Sequence, residues 1–315
     1  MAIAGTGGTG GTGGTGGTGG TGGTGSTADV GTDAGGGLAL VSPVVRPIGL
    51  SPTLGLYNNW WPAVRWPPSD LVAPGIVAPT PRFPEMAWDP SLFGITILAE
   101  FVQQAWTAIA PPPFPGAINV PQEISDLVQL VEYRQEVMAE ALAQSTDMVG
   151  YWAGLLMFSR FSHPWTFRLA RIAIVVGEFV AMTLKRQIQR PRPSQLSPAL
   201  MPPVPVPGHA SYPSGHATQA YLLSALMAQV MPAAATAALG PNPLAPATIP
   251  AVAPANVLDR LAERVARNRE VLGLHYRSDS VAGQSVAAQI LPLLMVCPSM
   301  ATPLTGVIAM AAGEW

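Results

Sequence analysis

The chain of 315 residues is poor in several residue types that often announce a function. It has a single cysteine, Cys297, which excludes both a disulfide framework and a cysteine-rich zinc site. A lone cysteine late in an apolar run is read as a small core residue. Charged residues are scarce at 11%, and 16 Lys and Arg against 18 Asp and Glu leave a net charge of −2. Without a basic excess, no nucleic-acid partner is expected. The opening "MAIAGTGGTGGTGG" has neither a basic n-region nor an apolar h-region, so no signal peptide is visible and a soluble, cytoplasmic protein is the expectation. Strand-like alternation is also missing.

Apolar residues make up 48% of the chain, enough for a sizeable core. Residues 5–25 repeat Thr-Gly-Gly, and such a stretch buries too little apolar surface to offset the entropy of ordering it. Residues 1–37 are therefore read as a disordered Gly/Thr-rich tail, and 38–315 as a single domain. Within it, 38–121 is dense in proline and aromatics ("NNWWPAVRWPP", "APPPFPG"). It is read as an extended wrapping arm anchored by Trp60, Trp61 and Trp66, with one short helix around Ile97 to Ile109. From 122 to 315 the pattern is helical. Ile124, Leu127, Val128, Val131, Met138 and Leu142 recur as on one helix face, and Pro121 suits a first helical position. The fold class is all-α: a helical bundle with long proline-rich connections.

Three apolar stretches raise the question of a membrane. Residues 172–184 are too short to span and carry Glu178, residues 219–239 contain Pro232, and residues 284–312 are broken by Pro292, Pro298 and Pro303. A buried bundle core is the reading, with residues 284–312 keeping a membrane association open, and the oligomeric state is left open, a homo-oligomer included.

The chemistry lies in three short segments. "KRQIQRPRP" (185–193) closes an apolar helix with Lys185, and Pro191 and Pro193 hold Arg192 extended just beyond it. Arg190 is a third cation nearby. Alone, this reads as a solvated helix end where basic residues favour the dipole. "GHASYPSGHA" (208–217) places Ser214-Gly215 directly before a helix. Such a turn presents free backbone N–H groups at a positive dipole end, which is an anion site. The Ser214 hydroxyl adds a donor, and His216 a group able to take or give a proton. In "NREVLGLHYRSD" (268–279), His275 precedes Asp279 by four residues, so that if the helix continues the carboxylate orients the imidazole. The bland alternative is a surface His–Asp pair. His163, before Pro164 at a helix start, is read as structural. Glu178, seven residues before Lys185, is read as a partly buried carboxylate with Arg171 or another cation as partner, outside catalysis.

Taken together, Lys185-x6-Arg192-Pro193, Pro213-Ser214-Gly215-His216 and Arg269-x5-His275-x3-Asp279 resemble the three-part signature of one superfamily. It unites type 2 phosphatidic acid phosphatases, bacterial acid phosphatases and vanadium-dependent haloperoxidases. Further likeness to the bacterial haloperoxidase-like branch lies in "YW" at 151–152, "HPWT" at 163–166 and the text around the second motif. One departure is Asn268, where the third motif usually begins with serine. The resemblance implies that Lys185, Arg192 and Arg269 neutralise the oxygens of an oxyanion, with Ser214 and the Gly215 N–H completing the cradle. It implies that His275 bonds axially to the central atom, vanadium or phosphorus, and that His216 acts opposite as general acid–base.

Two activities follow from the resemblance. In the first, the cofactor is vanadate, hydrogen peroxide binds to it, and halide is oxidised to halogenate an organic acceptor. In the second, the anion is a substrate phosphoryl group and His275 forms a phosphohistidine. An anion-binding protein with a decayed site is a third, non-catalytic reading, which the intact charge set argues against. The large proline-rich region and the wording of the second motif favour the haloperoxidase. So does His209, seven residues before His216: bromide-oxidising members of the family carry a histidine at this spacing, and fungal chloride-oxidising members an aromatic. The bland reading of His209 is a loop histidine bonded to backbone.

Overall fold

The computed structural model describes residues 83, 85–114, 116, 118–232 and 257–315. Residues 1–37 and the anchors Trp60, Trp61 and Trp66 lie outside these. Among the described residues the fold is all-α, with no strand. The helices are α1 (Pro90–Phe101), α2 (Val120–Gln129), α3 (Arg134–Thr146), α4 (Val149–Leu156), α5 (Pro164–Ile188) and α6 (Pro193–Leu196). They continue with α7 (Gly215–Val230), α8 (Val257–Val271), α9 (Arg277–Leu294), α10 (Pro298–Ala301) and α11 (Val307–Ala312).

The bundle is built around α7. Its sequence "GHATQAYLLSALMAQV" has no charged residue, and a helix without a polar face belongs in an interior. It packs against α5, α8 and α9, with Leu222, Leu223, Ala225 and Leu226 fully buried. α5 is buried along most of its length and takes α1 on its other side through Phe93, Ile97 and Phe101. Trp152 of α4 donates to Ser224 Oγ (3.0 Å), whose hydroxyl donates to Leu258 O (2.8 Å), so the core polar groups are satisfied in series. Cys297 is buried at the start of α10, as a core residue. Among the described residues, no helix is long and apolar enough to cross a membrane.

Two helical expectations shift. The short helix placed around Ile97 to Ile109 runs instead over Pro90–Phe101, followed by a 3-10 turn at Trp106–Ala108. Its start is set by a cap: the Asp89 carboxylate accepts from Ser91 N–H (2.9 Å) and Leu92 N–H (3.1 Å), with Pro90 in the first turn. The single face proposed from Ile124 to Leu142 is broken by a 3-10 segment at Leu130–Tyr133. That change of pitch rotates α3 relative to α2. Leu127 stays buried, whereas Val128 and Leu142 are 45% and 49% exposed.

Gly283 of α9 is where that helix meets the start of α7. A Cβ there would meet Ser214 O at 2.7 Å, Ala217 Cβ at 2.8 Å and Thr218 N at 2.9 Å. The neighbours are backbone and a short side chain, which cannot swing away. Gly283→Ala should therefore lower stability by about 1–3 kcal/mol, read as the urea midpoint. An unchanged midpoint would show that α9 yields at this crossing.

Candidate oxyanion site

Four chain breaks deliver the site. Helix α5 ends at Ile188, with Gln189 at φ 58° donating its N–H to Lys185 O (3.0 Å). Pro191 and Pro193 then keep Arg192 extended (φ −69°, ψ 152°), as the sequence suggests. Ser214 is the N-cap of α7, its Oγ accepting from Ala217 N–H (3.3 Å). The first intrahelical bond runs from Thr218 N–H to Ser214 O (3.0 Å), so the N–H groups of Gly215 and His216 lie ahead of the ladder.

The fourth break is a correction. The helix does not continue from Arg269 through Asp279. Leu274 N–H bonds Arg269 O (3.0 Å) and Gly273 N–H bonds Glu270 O (2.8 Å), with Gly273 at φ +72°. This is the Schellman termination that glycine permits. The reversal throws His275 out of α8 onto the start of α9, where Tyr276 is the N-cap and Asp279 lies in the first turn. The His–Asp pairing survives for a different reason. Asp279 Oδ2 accepts from His275 Nδ1 (2.9 Å) and from Tyr276 N–H (3.1 Å), as a helix-capping carboxylate does.

The predicted site residues converge. Lys185 Nζ donates to Ala210 O (2.9 Å) and Ser211 O (2.8 Å). Arg192 donates through Nε to His209 O (3.0 Å), through Nη2 to His209 Nδ1 (3.0 Å), and through Nη1 to Leu274 O (2.8 Å) and His275 Nε2 (3.0 Å). Arg269 donates to Ser145 Oγ (2.7 Å) and to Ala141 O, both on α3. Ser214 N–H donates to Asp279 O (2.9 Å), tying the second motif to the third. Asn268 spends its amide on Gln144 Oε1 (3.0 Å), also on α3. A solvated helix end is excluded for the first motif, since Lys185, Arg190 and Arg192 are each 1% exposed.

Because arginine only donates, these contacts assign the tautomers. His275 Nε2 is the acceptor, so its proton sits on Nδ1 and points at Asp279. His209 Nδ1 accepts from Arg192, which leaves the proton on Nε2. The alternative contact of His209 Nδ1 with Ala210 O is longer, at 3.2 Å, and lacks a charged partner. His209 Nε2, both ring nitrogens of His216 and Arg269 Nε are buried without a protein partner.

Electrostatically the cluster is in excess of positive charge. Burial, with Arg192 beside it, pushes the Lys185 ammonium well below the ordinary lysine value. Burial likewise brings Arg192 and Arg269 down to about 10. It holds His216 and His275 well below the usual imidazole value, reinforced by Arg269 for the first and Arg192 for the second. His209 falls to about 4, through burial and then Lys185 and Arg192. Buried donors left over among mutually repelling cations fit one kind of guest, an anion with several acceptor oxygens.

Residues 167–303 match the family model described as the PAP2 superfamily. No curated protein matches the chain. The matched residues include Lys185, Arg192, His209, Ser214, Gly215, His216, Arg269, His275 and Asp279. Outside it, α2 and α3 bring Glu123, Gln144 and Ser145, which sequence reasoning missed because no motif marks them. Ser211, inside it, was also missed; its hydroxyl donates to Asp279 Oδ2. Arg190 points away from the other cations, to Asp279 Oδ1 (2.7 Å) and Glu123 Oε2 (2.7 Å). His163, read from the sequence as structural, is bonded to Ser162 Oγ (2.9 Å) and lies against the Trp315 ring. Arg171 has Asp147 at 3.7 Å, and Glu178 is half-buried.

A pH dependence follows. His209 and His216 are held neutral in the fold and take up a proton near pH 6.5 when unfolded. Below that pH the unfolded chain binds more protons, so stability is present above about 6.5 and is lost as pH falls toward the folded values. In oxyanion-free buffer, stability to urea should therefore drop between pH 7 and pH 5. Added phosphate should reduce the drop. A flat profile would contradict the neutral histidines.

Proposed function

We propose that the cradle holds vanadate and that the protein oxidises halide, bromide by preference, with hydrogen peroxide, passing the halogen to an organic acceptor. A match to the PAP2 superfamily model over residues 167–303 fits either a phosphatase or a haloperoxidase. The observation that carries the choice is His209. Its Nδ1 is engaged by Arg192 and its Nε2–H is a buried donor with no protein acceptor, beside His275. Phosphoryl transfer through His275 calls on a nucleophile and one acid–base, which His275 and His216 already supply. A third imidazole, with a free donor, suits a second small anion such as a halide. Its exposure supports this: His209 is part-exposed, whereas Lys185, Arg192, His216, Arg269 and His275 are buried.

Lys185, Arg192 and Arg269 would hold the oxygens of the bound group, with the Ser214 hydroxyl and the N–H groups of Gly215 and His216. His275 presents Nε2 as the ligand atom, its ring fixed by Asp279. Such a group, when bound, would supply Lewis-acid activation of hydrogen peroxide toward halide. His216, neutral and unpartnered, takes or gives a proton at an oxygen of the bound group. The phosphatase reading draws on the same His275–Asp279 pair: a lone pair on Nε2, oriented by a carboxylate, is also a nucleophile's arrangement.

Purified protein loaded with vanadate should halogenate an acceptor in the presence of hydrogen peroxide and bromide, and cleave a phosphate ester poorly. His275→Ala should abolish the reaction. His209→Ala should reduce halide oxidation roughly tenfold or more while leaving vanadate affinity nearly unchanged. Cleavage of the ester with no halogenation would replace the haloperoxidase by the phosphatase. Loss of vanadate binding in His209→Ala would make His209 part of the cradle itself.

A further inference from the structure

Asp279 is fully buried, and both of its oxygens accept hydrogen bonds. Oδ2 takes His275 Nδ1–H, Tyr276 N–H and the Ser211 hydroxyl. Oδ1 takes Arg190 Nη1 at 2.7 Å, and Arg190 is the cation that neutralises it. The guanidinium is itself fixed from several sides. Its Nη2 donates to Glu123 Oε2 (2.7 Å), Nη1 also reaches Ser278 Oγ (2.6 Å), and its Cζ lies 3.6 Å from the centre of the Tyr276 ring. Phe114 and Tyr212 close round it at 4.9 and 5.9 Å. Glu123 is held in turn by Ser278 N–H (2.7 Å) and Ser278 Oγ (2.9 Å). A continuous series therefore runs from Glu123 on α2 through Arg190 and Asp279 to His275.

We propose that Glu123 and Arg190 are positioning residues for His275, acting through Asp279 to keep the proton on Nδ1 and the lone pair on Nε2. The proposal rests on the assignment of His275 as the residue that bonds the central atom of the oxyanion. Its physical basis is the treatment of a buried carboxylate. With Oδ1 held by the guanidinium, Asp279 is fixed with Oδ2 facing the imidazole N–H, which it accepts. Without that cation its remaining hydrogen bonds come from neutral donors in a dry site, and the arrangement that sets the ring tautomer loses its anchor. Glu123 keeps Arg190 from swinging toward the oxyanion cradle, where it would add a fourth positive charge to Lys185, Arg192 and Arg269. The pair thus separates two jobs among neighbouring cations: Arg192 faces the guest and Arg190, two residues earlier, faces the carboxylate behind it. Glu123 lies outside the residues matched to the PAP2 superfamily, so this contribution comes from another part of the chain.

The test uses the full chain labelled with 15N-histidine, in which the His275 resonances are assigned by their loss in His275→Ala. Wild type should show one His275 tautomer, protonated at Nδ1. Arg190→Gln should show a mixture of both and lose roughly ten- to a hundredfold in turnover, with the KM for hydrogen peroxide little changed. Glu123→Gln should move both readouts in the same direction by less, and Glu123→Asp should recover part of the loss. Should Arg190→Gln fail to fold, Glu123→Gln decides, since that side chain sits nearer the surface, 14% exposed. A single unchanged tautomer in the glutamine variants overturns the proposal, whether or not turnover falls, because the pair is then only a staple between α2 and the bundle. A wild type silent in both halogenation and ester cleavage, with the tautomer still shifting in Arg190→Gln, supports the positioning role and removes the proposed reaction instead.

Discussion

Three cations lie inside a helical core without a carboxylate of their own. Lys185, Arg192 and Arg269 are each 1% exposed, and among the described residues their hydrogen bonds go to carbonyls, a hydroxyl and two imidazoles. Buried charge is tolerated when it is paired or hydrogen-bonded and is otherwise costly. The positive end of α7, with the leading N–H groups of Gly215 and His216, adds to the same sign. The fold around this point is arranged to hold that excess in place: α5 supplies Lys185, the proline-bounded segment Arg192, α8 Arg269 and α7 the amides. An anion with several oxygens resolves the imbalance, and the residues around it set the chemistry.

That arrangement explains why local breaks matter as much as helices. Pro191 and Pro193 stop α5 where Lys185 and Arg192 reach the same centre. The glycine at 273 reverses the chain after α8, so Arg269 and His275 come from consecutive elements yet point to one place. Arg134 of α3 secures the reversal from outside, donating to Val271 O (3.0 Å), Met201 O (2.9 Å) and Leu200 O (2.6 Å). The loop carrying His209 and the turn carrying His275 are thereby tied to one side chain. Rigid elements and short strapped turns together give the small positional tolerance that oriented catalysis requires.

Much of this was legible in the sequence, unevenly. Helical periodicity and the missing strand pattern were sufficient for the all-α class. The Ser-Gly turn before an apolar run located the amides of α7, and proline spacing placed Arg192 extended. Residues whose role depends on partners distant in the chain were less visible. Arg190 reads as one more cation beside Arg192, and only Asp279 and Glu123, 89 and 67 residues away, turn it the other way. His275 and Asp279 pair as expected, but through a helix cap rather than along one helix. The 3-10 segment before α3 leaves no periodic trace, so Val128 and Leu142 look like core positions and lie on the surface.

The claim that this cluster is built for one oxyanion is tested most directly by titrating orthovanadate into the protein in a calorimeter. On the proposed reading, one vanadate should bind per chain, and binding should weaken strongly when any one of Lys185, Arg192 or Arg269 is replaced by alanine. Absence of binding, or binding indifferent to all three replacements, would contradict it.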